Sequence, residues 1–267
     1  MSGKSFEENR SHENQMEVIF LGTGTGAPSA KRGAPGLVVQ ARGLTMLFDS
    51  GPGALWQLAR AGLSYHDLDC LFYTHLHPDH TSDLISYLFA MRYFAQFTRS
   101  KPARIYGPEG FITFYERLHA AFGHWIEPPE GRVILSELPS GHTLFLGPVY
   151  IETAPITHTR ESLGYRIIEA GGATLALTGD TDFSQELIHL ARGADLLITE
   201  CSFPEGHKIK GHLVPSLAGR AAREAGVKAL ALTHFDPQCE NQDLLSPITS
   251  EFIGPVTLAE DLQRLTL

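Results

Sequence analysis

Cysteine is scarce in this 267-residue chain: Cys70, Cys201 and Cys239, with no C-x-x-C pair among them. So odd and sparse a set gives no disulfide framework and no thiolate metal knuckle, and it fits a reducing compartment. Runs of lysine or arginine are missing too. With 21 basic against 30 acidic residues, a formal charge of −9 and a pI near 5.8, the chain offers no extended basic face for DNA or an anionic membrane. A local basic patch stays compatible with these totals. Long apolar runs are absent: the most hydrophobic stretch, 84–97, is too short to span a bilayer and carries Arg92. Residues 1–15, MSGKSFEENRSHENQ, lack the apolar core of a secretory signal and read as a disordered polar leader, with Met16 an alternative start. These absences predict a soluble, cytoplasmic protein. Nothing resembles a G-x-S-x-G elbow or a thiol paired to histidine, so no protein nucleophile is expected.

What the chain does have is 43% hydrophobic residues, enough for one large domain over residues 16–267. MEVIFLGTG reads as a strand entering a glycine-rich turn, GLVVQARGLTMLFDSG as a hairpin around Arg42-Gly43, and 54–63 as a helix. LDCLFYT follows as a strand, 81–97 as a helix, ARIYGP as a strand and 111–122 as a helix. Pro128, Pro129 and Gly131 punctuate the middle and predict a seam between two halves near 128–131. Strands return in RVILSEL, VYIETAPI, LGYRIIEA, ATLALTGD, ADLLITEC and VKALALTHF. Helices are expected near 184–191 and 215–225, and closing strands at 256–258 and 265–267. Hairpins interleaved with helices in both halves predict an α/β (α+β) domain of two packed mixed β-sheets flanked by helices.

Between one strand and the next helix stands YTHLHPDHTSDL, where His75, His77, Asp79 and His80 fall within six positions. So many nitrogen and oxygen donors on one short turn repel protons and attract a metal. In an extended turn residues i and i+2 point to one side, so His75 and His77 can grip one ion. Asp79 and His80, past the bend, can hold a second. Elsewhere metal-competent residues follow apolar strands: Asp49 after TMLF, His158 after APIT, Asp180 after LALTG and His234 after LALT. Loops at one end of a sheet sandwich can converge on one cleft. His158, Asp180 and His234 supply the types a dinuclear site still needs: imidazoles for Zn2+ and a carboxylate able to span two cations.

HLHPDH is similar to the H-x-H-x-D-H signature of the metallo-β-lactamase-fold hydrolases. FLGTGTGAPS, LFDSG, PITHTRESLGYRI, LTGDT, ADLLITECSF and LALTHF resemble, in order, the blocks of its ribonuclease Z-like branch. The likeness runs from Met16 to Leu267. It implies a four-layer αββα sandwich, a metal-dependent hydrolase of ester bonds, and a ligand set. His75, His77 and His158 would bind one divalent ion and Asp79, His80 and His234 the other, with Asp180, rather than Asp182, bridging. Zn2+ is the first expectation for five imidazoles, Mn2+ or Fe the alternatives. Two such cations would lower the pKa of a shared water that attacks phosphorus or an activated carbonyl, with Asp79 as proton acceptor. Asp49 resembles the acid that orients a ligand imidazole in this fold; a turn residue in DSGPG is its other reading. His212, in KGHLVPS, stands in the region where ribonuclease Z-like enzymes carry a histidine that assists the leaving group, with Glu200 to orient it. The His-Ser-Thr block common there is absent.

Other departures bear on substrate. Ribonuclease Z proper inserts a long tRNA-grasping arm between the third histidine and the bridging aspartate, whereas 21 residues separate His158 from Asp180 here. Pro78 stands where those nucleases usually carry glycine, and KRGAPG only partly matches their Arg-Asn loop. The expectation is therefore a phosphodiesterase-like enzyme acting on a small anionic ester. The alternatives are tRNA 3′-end processing, hydrolysis of a lactone, aryl ester or sulfate ester, and an iron-dependent redox reaction. Nucleic acid is not the favoured partner. The aromatic residues Tyr87, Phe89, Tyr93, Phe94 and Phe97 read as core and leave a homodimer open. His142 in SGHTLF reads as part of a hairpin turn, and His12, His66, His119, His124, His189 and His207 as solvated or structural.

Overall fold

Strand β1 (Glu17–Gly22) alternates with period two yet is apolar on both faces: Val18 and Phe20 enter one core, Ile19 and Leu21 another, and all four are buried. A strand covered on both sides belongs inside a layered structure. The computed structural model describes residues 15–93 and 101–267. In it β1 is joined by β2 (Gly36–Ala41), β3 (Leu44–Phe48), β4 (Cys70–Phe72), β5 (Ala103–Gly107), β6 (Val133–Glu137) and, from far along the chain, β14 (Arg264–Thr266). Their order across the sheet is β14-β1-β2-β3-β4-β5-β6. A second sheet takes β7 (Thr143–Leu146), β8 (Val149–Pro155), β9 (Leu163–Glu169), β10 (Thr174–Leu177), β11 (Leu196–Glu200), β12 (Ala229–Thr233) and β13 (Val256–Leu258), with β13 and β7 at its edges.

Helices α1 (Ala54–Arg60), α3 (Asp83–Tyr93) and α4 (Phe111–Phe122) cover the first sheet, with Leu58, Leu84, Tyr87, Leu88 and Phe111 packed into one core with Ile19, Val38, Leu47 and Leu71. Between α1 and α3 lies the single turn α2 (Pro78–Thr81). Helices α5 (Gln185–Ala191), α6 (Pro215–Ala225) and α7 (Leu245–Glu251) cover the second sheet through Leu187, Ala218, Ala222 and Ile248. The expected αββα sandwich is what the chain forms. Between the sheets Phe72 stacks on Phe48 at 4.9 Å and on Tyr106 at 5.0 Å, and Tyr165 of β9 meets Phe48 and Phe72 edge-on. Tyr165 Oη donates to the Tyr73 carbonyl at 2.6 Å and the Leu163 N–H to that of Thr74 at 2.8 Å. The second sheet thus grips the first immediately before His75.

The passage between sheets comes later than 128–131. β6 follows that stretch and still pairs, parallel, with β5; the chain changes sheet at residues 138–142. Pro128, Pro129 and Gly131 end a helical crossover between parallel strands, a connection that needs punctuation as much as a seam does. In SGHTLF, Ser140-Gly141-His142 accordingly belong to the inter-sheet link and Thr143–Phe145 open β7, and the hairpin turn falls at the far end of that strand, at Gly147-Pro148. Helix α7, in LSPITSE, had no sequence signal. It forms against α6, where a Cβ on Gly219 would stand 2.7 Å from the Ile248 carbonyl oxygen, so glycine lets the two helices meet. Of the aromatic face, Tyr87 is core, whereas Phe89 and Tyr93 are 38% and 40% exposed. Phe94 and Phe97 lie outside the described residues, as do residues 1–14 of the leader, His12 among them. No helix among the described residues is long and apolar enough to cross a membrane.

Candidate metal centre

Strand ends deliver the site. Asp49 follows β3, His75 follows β4 by three residues, and His158, Asp180 and His234 follow β8, β10 and β12. Ligand sites at the carboxyl ends of parallel strands are the general expectation for such sheets. His77 is extended, φ −64° and ψ 149°, and the next residue, Pro78, opens α2, where its missing N–H costs nothing. Asp79 and His80 ride on that turn. The turn after Asp49 passes so close that a Cβ on Gly51 would stand 2.0 Å from the Asp79 carbonyl oxygen. Asp49 and His234 themselves have φ of 57° and 59°, left-handed conformations of the kind kept at functional sites.

The seven residues expected as ligands come together around Asp180, which is 3% exposed. Asp180 Oδ2 lies 3.9 Å from His75 Nε2 and 3.7 Å from His158 Nε2, and His158 Nε2 is 3.3 Å from His77 Nδ1. Asp180 Oδ1 lies 3.3 Å from His80 Nε2 and 3.2 Å from His234 Nε2, themselves 3.3 Å apart. Asp79 Oδ2 completes the second group, 3.5 Å from His234 Nε2 and 3.8 Å from His80 Nε2. In each group, His75–His77–His158–Asp180 and Asp79–His80–His234, the ligand atoms all fall within 4.8 Å of one another. Donors around a tetrahedral Zn2+ with bonds of about 2.0–2.2 Å stand about 3.3–3.6 Å apart, so these spacings fit coordination.

The far nitrogens decide which face of each ring is free. His80 Nδ1–H donates to Asp49 Oδ2 at 2.8 Å, and Asp49 also accepts the Thr74 N–H and hydroxyl, each at 2.8 Å. The Thr74 hydroxyl, spent on Asp49, accepts from His75 Nδ1–H at 3.0 Å. His158 Nδ1–H donates to the Gly211 carbonyl at 2.9 Å, and His234 Nδ1–H to Ser202 Oγ at 2.9 Å. Ser202 in turn donates to Glu200. With four Nδ1 atoms acting as donors, four Nε2 lone pairs face inward, where only a cation or a proton reconciles them. Consistent with a cation, His75 Nε2 and Asp180 Oδ1 are buried without a hydrogen-bond partner.

Electrostatics point the same way. Burial, then the charge of His80, holds the His75 imidazole well below its ordinary pKa; burial and His158 lower His77, so both are kept neutral as ligands must be. Burial opposes charge on His80, but the carboxylates of Asp180 and Asp49 outweigh it and raise that imidazole well above its usual range. The field that would favour a proton there equally favours a metal cation. Burial likewise opposes ionised Asp79 and Asp180, and the surrounding imidazoles still hold both carboxyls below the usual carboxylate range.

His212 sits at the edge of this cluster. Its Nδ1–H donates to Glu200 Oε1 at 2.9 Å, and Nδ1 is 4.0 Å from Asp180 Oδ2. Burial lowers its pKa, but the Glu200 hydrogen bond and charge win and raise it. Asp180, His212 and His234 form a third group with metal-ligand spacing, although the Glu200 bond already occupies His212 Nδ1. The buried Glu200 is a hub as well, accepting from the backbone N–H groups of Thr181, Ser202 and Leu213. Sequence reasoning passed over Thr74, Ser202 and Gly211. The first two carried one usable signal, standing at or just past strand ends that also bear expected site residues; a backbone carbonyl carries none. His142 gives its backbone N–H to Thr153 Oγ1, and among the described residues no histidine outside the expected set joins these groups.

The comparisons agree with this geometry. The family profile described as Beta-lactamase superfamily domain matches residues 45–235, well over half the chain. Ribonuclease Z of Brevibacillus brevis is 30% identical over 94% of this chain and 97% of its own. That alignment runs over 313 positions, so the relative carries segments that this 267-residue chain lacks. The metallo-beta-lactamase fold protein YhfI from Bacillus subtilis superposes with a TM-score of 0.84 at 26% identity, covering 95% of this chain and 100% of its own. The short form of human tRNase Z gives 0.74 at 27% identity, covering 93% and 98%. By its match, its paired seven-stranded sheets and its histidine–aspartate cluster, the chain belongs to the beta-lactamase superfamily, among its metallo-β-lactamase-fold hydrolases.

Proposed function

We propose that this chain is a dinuclear metal-dependent hydrolase that cleaves a small phosphodiester. The observation that carries the reading is the division of Asp180, one oxygen toward His75 and His158 and the other toward His80 and His234. Such a division suits a carboxylate that would be shared by two cations. Bound there, two divalent cations, Zn2+ by donor type with Mn2+ or Fe as alternatives, would supply electrophilic charge and lower the pKa of a water. The side chains supply the rest. Asp79, partly exposed and held ionised, takes a proton from water in the cleft. His212, tethered through Nδ1–H to Glu200, keeps Nε2 to give a proton to the leaving oxygen. Asp49 keeps His80 aimed.

A small substrate is supported by what joins His158 to Asp180: a short loop and the β9–β10 hairpin, with no room for a long RNA-gripping arm. The acidic balance of the chain supports the same conclusion. The second reading, tRNA 3′-end processing, has in its favour the ribonuclease Z relative aligned over nearly all of both chains; it needs a grip on tRNA from another surface or a partner. A cytoplasmic setting is supported by three buried free thiols. A hydrolysis panel under Zn2+ and Mn2+ tests the proposal, with a bis-aryl phosphate, cyclic nucleotides, a lactone, an aryl sulfate and a precursor tRNA. Turnover of a small phosphodiester by a chain holding two ions is the expected result. Cleavage of the tRNA alone reverses the ranking, and failure on every phosphodiester removes the first reading.

A further inference from the structure

Asp182 stands two residues beyond Asp180 but bonds to a different part of the molecule. Its backbone N–H donates to the Thr157 carbonyl at 2.7 Å, immediately before His158. Its carboxylate accepts from the Phe183 N–H at 2.8 Å, from the Gly211 N–H at 2.8 Å and from Lys208 Nζ at 2.9 Å. Residues 205–210, between Glu200 and His212, are exposed, so packing does little to hold that loop. Two carboxylates tie it down: Glu205 accepts from the Ser216 N–H and hydroxyl at its start, and Asp182 holds its far end, next to His212.

Gly211 is the link that makes this matter. Its N–H goes to Asp182 while its carbonyl accepts His158 Nδ1–H at 2.9 Å, and His212 is the next residue. Its φ is +89°, and a Cβ there would stand 3.2 Å from His158 Nδ1, so both backbone and space call for glycine. We propose that Asp182 is a positioning residue: by clamping Gly211 it aims His158 at the first ion and holds His212 beside Asp180. One carboxylate then serves both the metal side and the leaving-group side of the cleft. The inference rests on the dinuclear reading above.

The test is ion affinity, measured by competition with a chromogenic chelator for Zn2+ on the full chain. Wild type holds two ions. Asp182→Ala weakens one of them about 10- to 100-fold, the range for losing the support behind a ligand histidine, and leaves the other near its wild-type affinity. Asp182→Asn retains an oxygen for the Gly211 N–H and recovers most of the loss. Gly211→Ala attacks the same link from the other side and weakens the same ion; with Asp182→Asn it keeps the question open to measurement should Asp182→Ala fail to fold. In a His158→Ala background, Asp182→Ala has no further effect, because the route it acts through is gone. Unchanged affinities in Asp182→Ala, equal weakening of both ions, or a full effect in the His158→Ala background overturns the proposal. A wild-type chain that takes up no ion overturns the dinuclear reading and this proposal together, which the wild-type measurement alone reveals.

Discussion

Asp49 and His80 are joined at 2.8 Å, carboxylate Oδ2 to imidazole Nδ1–H, across 31 residues of chain. Both Asp49 oxygens are acceptors, Oδ1 for the Thr74 N–H and Oδ2 for the Thr74 hydroxyl and the His80 ring. An amide at this position must turn an NH2 toward one of those donors. Asp49→Asn is therefore expected to weaken the ion proposed for Asp79, His80 and His234 by about 10- to 100-fold while the chain still folds. Calorimetric titration of Zn2+ into the metal-free variant checks this, and wild-type affinity for both ions would reduce Asp49 to a turn residue.

Removing the ions should cost stability, because ligand groups that bind only in the folded state stabilise it by mass action. At free metal about 100 times the dissociation constant, each ion contributes about 2.7 kcal/mol, which in a chain of this size raises Tm by about 5–10 °C. Differential scanning calorimetry with and without a chelator reads the difference. A Tm indifferent to both chelation and added metal contradicts a resident metal site.

His212→Ala separates chemistry from metal binding. Its Nδ1 already belongs to Glu200, so the variant should retain both ions while kcat falls by about 10²- to 10⁴-fold on an ester with a poor leaving group. The loss should shrink for an ester releasing a nitrophenolate, which needs no proton to depart. Equal losses on both esters assign His212 to structure instead.

The thiols give a prediction with a pH window. Burial pushes Cys239 up to about 12 and raises Cys201 well above its ordinary value. An unfolded thiol ionises near about 8.5. As pH rises past that value, the unfolded chain loses protons that the folded chain keeps, so stability is fully present below it and is lost progressively toward about pH 12. Folded protein should accordingly resist iodoacetamide at pH 8, and denatured protein should label at all three cysteines. Mass spectrometry after timed exposure distinguishes them; prompt labelling of native Cys239 refutes the assignment.

The clustering of the candidate residues was legible because they obey two separate rules at once. His75, Asp180 and His234 come after apolar strands, and ligand-type residues do not fall there by burial alone. The supporting groups obey neither rule. A serine such as Ser202 or a threonine such as Thr74 is common at strand ends, and the Gly211 carbonyl belongs to the backbone. Asp182 was weighed only against Asp180 for the bridging position, and its bonds to Gly211 and Lys208 span 29 and 26 residues of chain, beyond any local pattern. The seam was misplaced for a related reason: proline and glycine mark the end of a crossover and the end of a sheet alike, and only strand pairing tells them apart. Helix α7 was missed because Pro247 and its serines and threonine speak against a helix that packing of Leu244, Ile248 and Phe252 into the second core secures.

The pairing of β1 with β14 gives the first sheet a margin assembled from segments some 240 residues apart in the chain. During synthesis β1 to β6 emerge first, with β1 exposing an unsatisfied ladder until residues 264–266 arrive to close it. The newborn half is thus vulnerable to sticking to its neighbours until the strands of the second sheet have also been made. Its protection is the last strand described here to leave the ribosome.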